Sequence, residues 1–244
     1  VMRFAVLKAG TASRATRERL GDFDALFTEL LALPGQQWDV HDVEHGAFPA
    51  DISAYDGLVI TGSVASAYDD EPWVRQLLDA TRAAHAAGVP ILGICFGLQI
   101  VALALGGAVG PNPEGWDLGV VDVQWGEAAA QQAALAAAPE PLRILQTHQD
   151  IATELPPGAV LLGSSRRTRH EIFTLGEHVL CLQGHPEMDA EMVRELLEKR
   201  SARGLLDPER AREGLASLSA APHREFLQRW LRAFLREGRL PAAA

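Results

Sequence analysis

Two short segments of the sequence carry residues able to do covalent chemistry. In Gly93-Ile94-Cys95-Phe96-Gly97 a cysteine stands centrally between two glycines. This is the pattern G-x-nucleophile-x-G, in which a strand turns straight into a helix. Such a turn holds its central residue in a strained conformation at the carboxyl edge of a sheet, and the flanking glycines let backbone cross closely above and below. The following amide, on Phe96, lies at the positive end of the helix, where an oxyanion would form and a thiolate is favoured. The second segment is Gly184-His185-Pro186-Glu187. Residues two apart in an extended chain project to the same side, and Pro186 fixes one of the angles between them. An imidazole held by a carboxylate is the base-and-orienter half of a triad. Alone, each segment also reads as ordinary structure: a core cysteine between packing glycines, or a surface turn. At the ends of two predicted strands they point together to nucleophilic catalysis.

The elements that must position these residues can be followed along the chain. Arg3 to Lys8, Trp38 to Val43, Gly57 to Thr61 and Val89 to Ile94 read as strands. Between them, Asp22 caps a helix with apolar positions Phe23, Leu26, Phe27, Leu30 and Leu31, and Pro72 starts another that Gly88 stops. Strands alternating with such helices give βαβ units, a mostly parallel α/β sheet, and ligands at the strands' carboxyl ends. The stretch Ala9 to Gly21 is polar and reads as a mobile loop. Beyond Gly107 the apolar runs at Val109, Val120 to Gln124, Leu142 to Thr147, Val160 to Leu162 and Glu171 to Leu175 are short, predicting a smaller, partly antiparallel layer. Glu127 to Ala138 reads as a surface helix. His178 to Gln183 is the last strand, and Asp189 to Glu237 is helical with breaks at Pro208 and Pro222. The expected division is residues 1–188 as the catalytic domain and 189–244 as a helical extension that packs on it or forms a dimer face.

Composition narrows the function. The 244 residues are 48% hydrophobic and 22% charged, which suits one large α/β domain. A net charge of −10 argues against a phosphate-tracking nucleic-acid surface. No apolar run reaches the roughly 18 residues that cross a bilayer without a break, and the first residues read as a strand, not a signal peptide. Two cysteines form no disulfide framework, which fits the cytoplasm. No metal site is expected: after His170-Glu171 the zinc pattern H-E-x-x-H fails at Thr174, and the four-residue spacing of His41 and His45 aligns side chains only on a helix, whereas Trp38 to Val43 reads as a strand. A P-loop is also missing, and Cys181 reads as core.

The sequence resembles the class I glutamine amidotransferases, a family with a Cys-His-Glu triad. Gly-Ile-Cys-Phe-Gly-Leu-Gln is similar to that family's G-x-C-x-G-x-Q, Gly-His-Pro-Glu to its H-P-E segment, and Thr61-Gly62-Ser63-Val64 to its oxyanion loop. Within the family, Gly35-Gln-Gln-Trp-Asp-Val, Ala54-Tyr-Asp-Gly-Leu-Val-Ile-Thr-Gly-Ser, His148-Gln149-Asp150 and Gln183-Gly-His-Pro-Glu resemble the plant γ-glutamyl peptidases. The resemblance implies a flavodoxin-like sheet, Cys95 as nucleophile, His185 as its base and Glu187 as orienter. It also implies an oxyanion hole from the amides of Ser63 and Phe96. Gln99, with His148, Gln149 and Asp150, would receive the amino-acid end of the substrate. No cofactor is implied. The loop departs from the family at Ser63 and Val64, where relatives carry Gly and Pro, and Leu98 replaces their His or Met. Trp116 reads as either cavity wall or core, and Arg14, Arg17 and Arg19 as candidates for a second substrate carboxylate. Three functions follow from the family: a stand-alone γ-glutamyl hydrolase, a glutaminase subunit passing ammonia to an acceptor enzyme, or a silent binding module.

Overall fold

The computed structural model describes residues 1–242, so the last two residues of the helical extension, 243 and 244, lie outside the description. Nine strands form one sheet in the order β2-β1-β3-β4-β11-β10-β9-β6-β7. Its parallel half comprises β1 (Arg3–Lys8), β2 (Gln37–Asp42), β3 (Gly57–Ile60), β4 (Ile91–Ile94) and β11 (Val179–Leu182). Side chains alternate between two cores because both faces are covered. Phe4, Val59, Leu92, Ile94, Leu180 and Leu182 enter one core, and Ala5, Leu7, Leu58, Ile60, Ile91 and Cys181 the other. Cys181 is fully buried and its thiol is pushed up, out of reach of ionisation, by loss of water.

The expected small antiparallel layer is present as a two-stranded sheet of β5 (Ala108–Pro111) and β8 (Asp150–Glu154). The other antiparallel strands, β6 (Asp117–Trp125), β7 (Leu142–His148), β9 (Val160–Ser164) and β10 (Ile172–Leu175), extend the main sheet through β10–β11 pairing. Two expectations are corrected. Glu127 to Ala138 is not a surface helix: it folds as two 3-10 turns whose Ala129, Ala134 and Leu135 are buried. Small side chains let that backbone press against the core. Ala9 to Gly21 is not an irregular loop but contains α1 (Arg14–Leu20), with Ser13 accepting from the Thr16 amide as its cap.

The remaining helices are α2 (Phe23–Leu31), α3 (Pro72–Ala86), α4 (Phe96–Ala104), α5 (Ala190–Ala202), α6 (Pro208–Ser217) and α7 (Arg224–Glu237). Met192, Val193 and Leu197 of α5 bury against Leu26, Leu118, Leu145 and Met188. Phe226, Leu227, Trp230, Leu231, Phe234 and Leu235 of α7 share a core with Phe4 and Phe27. No helix among the described residues is long and apolar enough to cross a membrane.

Candidate active site

Strand β4 ends at Ile94 and helix α4 begins at Phe96, so Cys95 alone makes the turn. Its φ of 54° and ψ of −105° make it the one non-glycine with positive φ among the described residues. Such a conformation costs on the order of 1–3 kcal/mol and persists only where its surroundings enforce it. Here both ends are pinned: the Cys95 amide donates to Leu182 O at 2.8 Å, and Gln99 N donates to Cys95 O at 3.1 Å. The flanking glycines are steric requirements. A Cβ on Gly97 would stand 2.2 Å from Ile60 O, and one on Gly93 would stand 2.7 Å from Gly97 O. Neither the Phe96 amide nor the Ser63 amide donates to an acceptor among the described residues.

Histidine arrives from the neighbouring strand. Leu182 is in register with Ile94, so the chain leaving β11 emerges beside the elbow. His185 N then donates to Leu145 O at 2.8 Å, which holds the segment against β7. The imidazole Nδ1–H donates to Glu187 Oε1 at 2.6 Å, and both residues are buried. Nε2 is left without a partner, and the ring lies against the Gly62–Ser63 loop, since a Cβ on Gly62 would come within 3.2 Å of its Cε1. Burial opposes charge on His185, but the Glu187 carboxylate and the Cys95 sulfur outweigh it and raise the imidazole above its ordinary 6.5. Protonated imidazole is therefore expected to persist past neutrality. Glu187→Gln removes the main stabilising charge, so the alkaline limb of a kcat/KM profile should move to lower pH, with a loss approaching 10⁴-fold where the tautomer is wrong. A limb that stays in place would show that Glu187 does not govern the imidazole.

Behind the sulfur lies a feature not anticipated from sequence. Gln183 Nε2 donates to Cys95 Sγ at 3.5 Å, and its Oε1 accepts from Gln99 Nε2 at 3.2 Å, while Gln99 also donates to Asp150 O at 2.8 Å. Gln183 lies in the quoted Gln-Gly-His-Pro-Glu segment, and only the β4–β11 register brings it under the thiol.

Two cavities flank Cys95. One is polar and its lining includes Gln99, Tyr68, Thr147, Gln149, Asp150, Arg200, Arg203 and Trp116. Asp150 is held by Ser66 Oγ at 2.7 Å and Tyr68 Oη at 3.0 Å. The His148 side chain is buried and its Nδ1–H donates to Asp150 O at 3.1 Å, so it shapes the loop. Burial, with His185 nearby, keeps its imidazole neutral at about 3. Trp116 satisfies both readings, lining the cavity while packing on the core, with the Arg200 guanidinium 4.6 Å above its ring. Arg200 also donates to Thr147 Oγ1 and makes no carboxylate pair among the described residues.

The other cavity is walled by α1 and α5. Its lining includes Ala12, Thr16, Phe23, Met188, Met192 and Leu196, with Cys95, His185 and Arg200 at its base. Glu195 accepts from Ser13 Oγ at 3.0 Å and Thr16 Oγ1 at 3.4 Å, and Arg19 clasps Asp189 through two bonds. The suggested carboxylate role for Arg14, Arg17 and Arg19 is thereby corrected: none lines either cavity. Arg14 pairs with Glu18, Arg17 is exposed, and Arg19 serves the α1–α5 clasp.

Near the polar cavity is a buried carboxyl. Glu171 accepts from Ser165 Oγ and Gln146 Nε2, and burial with the nearby Asp117 pushes it up to about 8. Its folded value exceeds the unfolded 4.5, so the native state holds the extra proton between the two, and stability falls as pH rises through that window by up to about 1.4 kcal/mol per unit. Glu171→Gln is expected to flatten that fall. Unfolding curves at pH 5 and pH 9 with parallel losses in both proteins would contradict it.

Fold and site together define an α/β protein of the nucleophile-elbow type, with cysteine at the elbow and a strand-end His-Glu pair beside it. Residues 28–200 match the family model described as Glutamine amidotransferase class-I. The chain belongs to that family. It is 32% identical over 240 residues to Gamma-glutamyl peptidase 3 of Arabidopsis thaliana, covering 96% of each chain. It is 27% identical over 199 residues to Gamma-glutamyl-L-1-hydroxyisopropylamide hydrolase of a Pseudomonas species, covering 71% of this chain and 66% of that protein. Among solved structures it is similar in fold to a glutamine amido transferase from Methylobacillus flagellatus, with a TM-score of 0.76 and 24% identity over 98% of this chain and 94% of that one.

Proposed function

We propose that the protein hydrolyses γ-glutamyl amide bonds through a thioester on Cys95. The observation that carries this reading is His185, paired with Glu187 at 2.6 Å between Nδ1 and Oε1 and lining the same cavity as the elbow cysteine. At neutrality His185 already holds the proton taken from Sγ, and the sulfur attacks the γ-carbonyl. The amides of Phe96 and Ser63 receive the oxyanion; one such donor is typically worth ~10²–10³ in rate. As the C–N bond breaks, His185 returns the proton to the leaving nitrogen and a free amine departs. Water, deprotonated by the same imidazole, cleaves the thioester to glutamate and restores the thiol.

The polar cavity suits the other end of the substrate. Its Asp150 and Gln99 meet the α-ammonium, and its Arg200 and Arg203 meet the α-carboxylate. The names of two relatives support a γ-glutamyl substrate, one a γ-glutamyl peptidase and the other a hydrolase of a γ-glutamyl hydroxyisopropylamide. Quenched-flow mass spectrometry with a γ-glutamyl anilide tests the proposal. Accumulation of a glutamyl adduct on Cys95, with glutamate released at the rate of its decay, is the expected result. Glutamate released without an adduct on Cys95, or no release at all, would refute it.

A further inference from the structure

The two cavities meet at the sulfur, and the triad assigns their occupants. Cys95, Ser63, Val64, Thr147 and Arg200 line both, but His185 lines only the α1–α5 chamber, and Gln99 and Asp150 line only the polar one. Because His185 must protonate the leaving nitrogen, the departing group lies on the imidazole's side of the sulfur. Ammonia would need no chamber there. The wall instead presents Phe23, Met188, Met192 and Leu196, no carboxylate lines it among the described residues, and Glu195, which bonds the lining residues Ser13 and Thr16, is already engaged by them. An ammonium placed against those side chains would be stripped of water without a partner, and a carboxylate would compete for Arg200, already committed to the glutamyl α-carboxylate, whereas an alkyl or aryl group gains by burial.

We infer that the α1–α5 chamber is the leaving-group site, and that the preferred substrates are γ-glutamyl amides of amines bearing an apolar substituent of about four carbons or more. The inference rests on the γ-glutamyl reading above. Thioether side chains adapt to differently shaped apolar groups, so the chamber selects by polarity more than by outline. Clasping of α1 to α5 by Glu195 and by the Arg19–Asp189 pair makes this wall part of the folded protein.

The test compares kcat/KM of the purified protein for γ-glutamyl-isoamylamide, γ-glutamyl-leucine, γ-glutamyl-aspartate, γ-glutamyl-lysine and glutamine. The isoamylamide and the leucine peptide are expected to exceed glutamine and both charged peptides by tenfold or more, the discrimination a hydrophobic site gives over several methylenes. Leu196→Arg, at a half-buried position on α5, should shrink the ratio of isoamylamide to the aspartate peptide at least fivefold. Calorimetric binding to the Cys95→Ala protein makes the same comparison without turnover. Glutamine or a charged peptide as the best substrate, or an unmoved ratio in the Leu196 variant, overturns the chamber assignment and leaves the γ-glutamyl reading standing. Neither release nor binding of any of the five compounds overturns both.

Discussion

Cys95→Ala should reduce glutamate release from a γ-glutamyl amide by about 10⁶-fold, the scale seen when a triad nucleophile is removed from an enzyme whose parts act as a unit. The substitution takes away one sulfur atom. It leaves the pins on the turn, Cys95 N to Leu182 O and Gln99 N to Cys95 O, because both are made by backbone at residue 95. It also leaves the cavity walls and the His185–Glu187 pair. The melting temperature is therefore expected to stay within a few degrees of wild type, and calorimetry should still detect substrate. A variant keeping even a tenth of wild-type turnover would mean that the elbow cysteine is not the nucleophile, and the mechanism would fall with it.

Stability should suffer most from Trp230→Ala, which is expected to cost about 3–5 kcal/mol, the range for deleting a large aromatic from a core. Trp230 is 1% exposed. Its ring centroid is 6.1 Å from that of Phe226 in a stacked arrangement and 6.0 Å from that of Trp125 edge-on. Trp125 is fixed in turn by its Nε1–H, which donates to Pro139 O at 2.8 Å, so the gap cannot close by swinging that ring. For a chain of this size the loss corresponds to a fall in Tm of roughly ten degrees. Below the new transition, kcat should be unchanged, since no atom of α7 lines either cavity. A Tm shift under two degrees would mean that the helix contributes little to the fold.

The sequence made the parallel half of the sheet, the elbow at Cys95 and the His185–Glu187 pair readable for one reason: each depends on local chemistry. Short apolar runs bounded by Gly and Pro are buried strands wherever they fall, and G-x-C-x-G forces the turn that the structure contains. What escaped depends on distant partners. Helix α1 has seven residues and one buried side chain, Thr16, so it carries no apolar stripe; it exists because α5 offers Glu195 and Asp189 to clasp it. Leu135 sits among alanines that suggest an exposed helix, yet the core takes them in. Gln183 and Arg200 are ordinary residues in a strand end and a helix. Their places beside the thiol and between the cavities come from pairing across the sheet and from packing, which no local pattern encodes.

Pairing of β11 between β4 and β10 has a consequence for how reactivity is acquired. Although they are neighbours in space, 88 residues separate Cys95 from Gln183. Until that late insertion occurs, the edge of β4 is open, the turn lacks its Leu182 tether, and no imidazole is near. Closing so long a loop is entropically slow compared with local pairing. On the proposed mechanism the thiol would thus stay latent in a partly folded chain, and the event that seals the middle of the sheet would be the one that arms it.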